Sequence, residues 1–463
     1  MSTERNMRPR RGLAFLAVMA LAVMFAGCST GGSDGGSGGS SGSPQALSDS
    51  AAGSASSGGS GGAEPGSSSA EGAALGRMRP AAGNPQAAPG QLTAGEWRDV
   101  DRWDDWLKLL AGREGTDNRN FWHYFRFDRL IVRVEADGQP IVDADVYVKD
   151  ADGRVVWRTK TDVDGYAYAY AGMFERAPEK LPMPEADANR DSGEMRGRNR
   201  QREEGFSRVE PGYNVEVRAG GETKMFSHVP IPRDEPLVVR FEQRPEPSDA
   251  VDIMLVVDTT GSMQDEIDFL REELKDVITR ARQGAGQLDV EVSVNFYRDR
   301  HDEYVIKSYP FTDDIDEVVR RIAQEKADGG GDYPEAVEQA LTNALFGHEW
   351  RRPARTRLLF LVGDAPPRNE PQIIDELHEA TLEAAKLGVR IVPVASSGVD
   401  VNTEYLMRFL AAATGGTYVF LTDHSGIGDD HMEAAVGEFE VRPLNDLLVE
   451  IIRRYAGLPP ENG

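Results

Sequence analysis

The chain has 463 residues, with 77 Asp and Glu against 52 Lys and Arg, one cysteine and a formal net charge of −25. That acidity excludes nucleic acid as the main partner, because binding phosphate needs a basic stripe. One cysteine excludes an internal disulfide, a Cys-built zinc site and a CxxC redox pair, and the length suggests about three domains.

Arg5, Arg8, Arg10 and Arg11 form a positive start, followed by an uncharged, mostly apolar run from Gly12 to Ala26. The run is short of the ~20 residues that a spanning helix needs. A charged start, a short apolar core and small residues before a break describe a secretory signal. The break is Phe25-Ala26-Gly27-Cys28, with Ser29 next. It resembles the bacterial lipoprotein signal, with Phe25 where Leu is commoner. The resemblance implies that residues 1–27 are removed, that Cys28 is lipidated, and that the chain passes to the outer membrane, facing the periplasm or the surface. An ordinary signal peptide with an incidental cysteine is the plainer alternative. Residues 28–92 are dominated by Gly, Ser, Ala and Pro. Such a segment buries too little apolar surface to offset backbone entropy and is expected to act as a disordered tether, with a reach of ~45 Å.

Thr93-Ala-Gly-Glu96 reads as a capping box, a hydroxyl N-cap with a carboxylate three residues on. Trp97, Val100, Trp103, Leu107 and Leu110 follow at helical spacing, which predicts an amphipathic helix within 93–115, reaching about Ala111. The tryptophans are expected in the core rather than in a ligand stack.

From Phe125 the period changes to two. Leu130–Val134, Ala144–Val148, Val155–Trp157 and Tyr166–Tyr170 alternate between Asp-Gly turns, and Tyr213–Ala219 and Leu237–Phe241 resume the pattern. Short strands at this spacing predict an all-β sandwich over 120–246. The stretch GQPIVDADVYVKDADGRVVWRTKTDVDGYAYA resembles the carboxypeptidase regulatory-like and immunoglobulin-like modules of secreted proteins. Asp162-Val-Asp164-Gly165 opens like a calcium loop but lacks the downstream Glu, so a hairpin turn is expected. Residues 175–207 are charged, Pro-bearing and aperiodic, the composition of a long mobile loop.

From 250 to 458 strand and helix patterns alternate, predicting an α/β domain with a mostly parallel sheet. Ile253–Val257 and Leu358–Val362 are apolar throughout, as strands buried on both faces are. Ligands of such sheets gather at the carboxyl edge. There the sequence places Asp258-Thr-Thr260-Gly-Ser262 after one strand and Gly363-Asp364-Ala-Pro-Pro after another. An aspartate and two hydroxyls on a tight turn can aim their oxygens at one hard cation such as Mg²⁺. A Gly-rich loop, Gly329-Gly-Gly-Asp332-Tyr-Pro-Glu335, lies between them and leads into a helix. The plainer readings are that Asp258 is a helix N-cap and that Asp332 or Glu335 favours a helix N-terminus.

These three pieces, in this order on this scaffold, resemble the von Willebrand factor type A family. Phe296-Tyr-Arg-Asp299, Phe311-Thr-Asp-Asp314 and Ala411-Ala-Ala-Thr-Gly-Gly-Thr417 are also similar to stretches in its bacterial members. The resemblance implies a Rossmann-like fold carrying a metal-ion-dependent adhesion site. It assigns Asp258, Thr260, Ser262 and Asp364 to Mg²⁺ (with Mn²⁺ or Ca²⁺ as alternatives), with an open position for a partner's carboxylate. The family usually supplies a threonine from the middle loop, and this loop offers Asp332 instead. A third carboxylate there would weaken the pull on an acidic partner.

Residues 251–463 hold 40 Asp and Glu against 21 Lys and Arg, so a partner with a basic surface also suits this domain. His378-Glu379 does not continue to a second His, and no GxxxxGK[ST] or GxSxG motif occurs, so nothing calls for an enzyme. The expectation is an envelope-anchored lipoprotein whose head binds a protein partner with a divalent cation. The alternatives are a non-adhesive envelope scaffold and a regulator of an ATPase or other enzyme complex.

Overall fold

The computed structural model describes residues 90–176, 212–233, 235–263, 267, 277, 280, 288–331, 333–396, 398–423 and 434–460. The signal segment, Cys28, the tether up to residue 89, the charged stretch 177–207 and Asp332 lie outside them. In chain order the elements are β1 (Thr93–Trp97), α1 (Trp103–Ala111), α2 (Arg113–Trp122), β2 (Arg129–Ala136), β3 (Gln139–Pro140), β4 (Asp145–Lys149), β5 (Val155–Lys160) and β6 (Tyr166–Tyr170). Next come β7 (Tyr213–Ala219), β8 (Glu222–Val229), β9 (Leu237–Phe241), β10 (Ala250–Asp258), β11 (Asp289–Tyr297), β12 (Ile306–Ser308), α3 (Ile315–Gln324) and α4 (Val337–Phe346). The chain closes with β13 (Thr356–Gly363), α5 (Pro371–Leu387), β14 (Val389–Ala395), α6 (Val401–Thr414), β15 (Tyr418–Leu421), β16 (Arg442–Pro443) and α7 (Leu444–Tyr455).

One eight-stranded sheet, in the order β12-β11-β10-β13-β14-β15-β1-β16, forms the head. The run from β11 to β15 is parallel, and β12, β1 and β16 join antiparallel. β13 and β14 are buried along their whole length, as strands covered by helices on both faces must be. The helices stop where their sequences say. Asp400 caps α6 by accepting from the Thr403 amide, and Gly388 and Gly415 take the left-handed conformation after α5 and α6, where a side chain would be strained. After β10, Ile267 and Val277 are described, and both are buried in one core cluster with residues of β10 and β11.

The helix expected from Thr93 is instead a strand up to Trp97 and a helix only from Trp103. Ala94–Trp97 pair antiparallel with Leu421–Tyr418. The Thr93 hydroxyl lies 2.8 Å from that of Thr422 rather than capping a helix, and Glu96 pairs with Arg454 at 2.6 Å. The backbone groups that a helix would have used are taken by the open edge of β15. Gly95 permits this approach, since a β-carbon on it would lie 2.6 Å from the Phe420 ring. Leu92, assigned to the tether, is buried beneath the sheet. The helical stretch also breaks at Gly112, whose extended backbone separates α1 from α2.

Between β1 and β10 the chain builds two four-stranded sheets, β3-β2-β6 with β9 beside β2, and β5-β4-β7-β8. Their alternating apolar residues, including Leu130, Val132, Val146, Val148, Val215 and Val217, belong to one cluster. Asp162 Oδ1 accepts from the amides of Asp164 and Tyr166, making a tight turn, but β5 and β6 on either side of it belong to different sheets, so the turn carries the chain from one sheet to the other and the expected hairpin does not form. The same cluster continues into the head through Leu377, Phe409 and Leu410. Trp106 packs against Phe127, Tyr405 and Phe409. Tyr124 meets the Thr381 hydroxyl at 2.7 Å, and Tyr170 donates to Ala412 O at 2.8 Å. Arg408, which is 1% exposed, grips Asp99 with two nitrogens at 2.7 and 3.0 Å. The small sheets and the head are therefore joined by apolar packing and buried polar contacts. His378 is a packing residue, stacked on Phe174 with its ring nitrogen 3.1 Å from Trp122 O. Among the described residues no helix is long and apolar enough to cross a membrane.

Candidate metal centre

β10 and β13 lie parallel, with Val257 opposite Val362. Asp258 and Gly363 therefore end neighbouring strands, roughly 4.8 Å apart, with Asp364 one residue further, all at the carboxyl edge of the sheet. Gly363 is needed there, because a β-carbon on it would meet the Tyr297 hydroxyl at 2.5 Å. Beyond Asp258 the chain makes a tight turn in which the Thr260 amide and hydroxyl both donate to Asp258 Oδ1, at 2.9 and 2.7 Å. A single 3₁₀ turn, Gly261–Met263, then brings the Ser262 hydroxyl onto Asp364 Oδ2. Four of the expected site residues, Asp258, Thr260, Ser262 and Asp364, are thus brought together. Asp332 and Cys28 lie outside the described residues.

The capping reading of Asp258 accounts for one of its oxygens. The other, Oδ2, is buried without a hydrogen-bond partner. Tyr297 approaches the carboxylate from β11 and favours its charged form, but no donor meets Oδ2 in hydrogen-bonding geometry. Burial pushes Asp258 up to about 7, and the negative Asp364 adds to the rise, against the opposing bonds from Thr260 and Tyr297. Burial also raises Asp364, with the Ser262 bond acting the other way.

The middle loop brings Glu335 to the site, a residue for which the sequence offers only a helix-start role. It is 4% exposed, and its Oε2 has no partner. Burial and then the charges of Asp258, Asp299, Asp364 and Asp302 push it up to about 9. Its amide donates to Pro366 O at 2.9 Å, tying it to the loop of Asp364. A β-carbon on Gly330 would lie 3.2 Å from Thr260 Cβ and 3.5 Å from Glu335 Oε1, so both side chains flank one point. A signal exists in the sequence: Glu335 and Glu338 extend, three residues apart, the stripe that continues through Leu341 and Leu345. An acid on an apolar stripe needs a buried partner.

One short segment after β11 holds the three loops in place. Arg298 donates to Thr259 O at 3.1 Å and to Lys326 O at 2.6 Å. Asp299 binds Arg368, just beyond Asp364. Asp302 accepts from the Gly330 amide at 3.2 Å.

Asp258, Asp364 and Glu335 thus form a buried set of carboxylates, and among the described residues no ion pair reaches any of them. Two things relieve such a set, protons or a cation. Among the described residues no three His, Cys, Asp or Glu side chains make a metal-binding group by themselves, so a cation here depends on the Thr260 and Ser262 hydroxyls as well. Carboxylate and hydroxyl oxygens are hard donors, and this set fits Mg²⁺, which keeps several of its waters.

Residues 252–423 match the family model described as von Willebrand factor A domain. This stretch is a von Willebrand factor A domain. Its limits fall inside the head, leaving β1, β16 and α7 outside the matched residues. Over 130 residues the chain is 30% identical to a protein of Acanthamoeba polyphaga mimivirus whose name describes it as ariadne-like RING finger. That match spans 27% of this chain and only 12% of the mimivirus protein. The chain is also similar to the crystal structure of a conserved hypothetical protein, BatB, from Bacteroides thetaiotaomicron. The identity is 12% and the TM-score 0.32, covering 45% of this chain and 99% of that one.

Proposed function

We propose that the von Willebrand factor A domain binds a protein partner in a divalent-cation-dependent manner, and that Cys28 anchors the chain to the bacterial envelope through lipid. The observation that carries the cation-binding reading is the convergence of Asp258, Thr260, Ser262 and Asp364 around a buried, unpartnered carboxylate oxygen. Asp258, Thr260, Ser262 and Asp364 would hold Mg²⁺, which supplies a positive centre to which a partner's donor atom can bind. The chain's own residues fix the geometry: the Thr260 turn orients Asp258, and Ser262 orients Asp364. No motif assigns a reaction to this site, and the role proposed is binding.

The cation is tested by melting the full chain in EDTA and in excess Mg²⁺. At a hundred times Kd a single site adds about 2.7 kcal/mol, which raises Tm by roughly 5–10 °C in a domain of this size. An unchanged Tm overturns the reading. Partner binding is tested by retrieving envelope proteins in Mg²⁺ and in EDTA, with S262A as control, and the anchor by membrane fractionation of C28A.

A further inference from the structure

Outside the family match, a cleft of about 800 Å³ lies between α1, α2, residues 125–129 leading into β2, and Pro232 and Arg233 before β9. Its walls carry four arginines, Arg119, Arg126, Arg129 and Arg233, against two aspartates, Asp104 and Asp128. Arg126 is paired with Asp128. Among the described residues no ion pair reaches the other three. Each is held on a backbone carbonyl instead, Arg119 on Phe125 O at 2.8 Å, Arg129 on Val100 O at 2.8 Å and Arg233 on Glu235 O at 2.7 Å. A carbonyl orients a guanidinium without neutralising it and leaves further N–H groups over. Arg119 Nε is buried without a partner, and Arg129 lies over the Trp103 ring at 3.9 Å. Burial holds Arg119 and Arg129 below the ordinary guanidinium range, the direction a cation takes when burial outweighs counter-charge. Apolar side chains share the lining: Leu110 and Phe127 are buried, Trp103 is half-buried and Leu107 is exposed.

We propose that this cleft binds a small organic anion, a carboxylate or a phosphate monoester on an apolar body, with the guanidinium groups on the anionic head and Trp103 and Leu107 against the body. In a chain with a net charge of −25, an excess of two positive charges on one cleft sets it apart from its surroundings and draws an anion to it. Guanidinium presents paired N–H donors to either head group, and the volume suits a drug-sized ligand. A cationic ligand would meet Asp104 alone, since Asp128 is taken by Arg126. The cleft shares no residue with the metal centre, so the two readings stand or fall separately.

Calorimetric titration of the full chain with phenylbutyrate, phenylbutyl phosphate and phenylbutanol, which share one apolar body, tests this. At least one of the two anions should bind with a Kd below about 1 mM, and phenylbutanol at least roughly tenfold more weakly. Binding of either anion in this way supports the proposal, and the tighter of the two identifies the head group. R233Q should weaken the anion by roughly tenfold, the loss of one hydrogen bond to a charged group, and leave phenylbutanol unchanged. Urea melts check the fold of the variant. Leu107 is an exposed position on α1, so L107E and L107K alter the charge beside the cleft while every arginine stays in place. L107E should weaken the anion and L107K should strengthen it. If neither anion binds at millimolar concentration, or if phenylbutanol binds as tightly as both, the proposal is overturned. Anion binding that is equal in wild type, L107E and L107K places the anion elsewhere and overturns it too.

Discussion

Arg368 places two guanidinium nitrogens on the two carboxylate oxygens of Asp299, at 2.5 and 2.8 Å. This pair joins the end of β11 to the loop that carries Asp364. The Asp299 side chain is almost fully buried while Arg368 is partly open, so the pair sits at the margin of solvent.

Replacing Arg368 by alanine leaves Asp299 buried without its cation. Breaking a buried pair from one side costs about 3–5 kcal/mol, and the open flank of Arg368 places this case at or below the lower end. Urea unfolding should show that loss, and Mg²⁺ affinity should fall with it because the Asp364 loop loses its tie. The pair also predicts acid sensitivity. Arg368 holds Asp299 below its usual range, so the stability it contributes is full above the ordinary carboxylate pKa of about 4 and is lost as the pH falls through the depressed value. R368A should flatten that part of the profile.

The metal centre predicts the opposite trend. Burial, with neighbouring negative charge, pushes Asp258 up to about 7 and Glu335 up to about 9, far above unfolded carboxylates. The native state then holds more protons than the unfolded state between about pH 4 and those values, so stability in EDTA declines as the pH rises across that window. Mg²⁺ bound as proposed would replace the protons, and the decline should be smaller in its presence. Melting curves from pH 5 to 9, with EDTA and with Mg²⁺, check this; parallel profiles would count against a shared site.

β1 predicts that the head needs residues outside the family match. G95V would drive a side chain into the Phe420 ring, an overpacking that costs about 1–3 kcal/mol. A chain beginning at Ser248 would expose the antiparallel edge of β15 and leave Arg408 without Asp99. It should melt well below a chain beginning at Gly90 and should self-associate, as open strand edges do. Equal melting and a monodisperse profile in size-exclusion chromatography would show β1 to be dispensable.

Much of the head is legible because buried parallel strands and capped helices write themselves in composition. Ile253–Val257 and Leu358–Val362 are apolar throughout and form the buried parts of β10 and β13. Aspartates and hydroxyls at adjacent strand ends mark the site equally directly. Thr93–Trp97 is misleading because Thr, Glu and Trp serve a capping box and an edge strand equally well. The choice is made by β15, more than 300 residues away in the chain. β8 escapes notice because its residues are mostly exposed and do not alternate. Glu335 is harder to read: an acid before a helix has an ordinary local role, and its place in line with the apolar stripe of α4 is the one sign that it is buried.

The separation between β1 and its partners has a consequence for synthesis. Thr93 and Thr422 meet although they stand 329 positions apart in the chain. At ordinary translation speeds the first strand leaves the ribosome roughly 15–65 seconds before the strand that receives it. Throughout that interval the nascent head has a gap at one side, and the last helix arrives only as the gap closes.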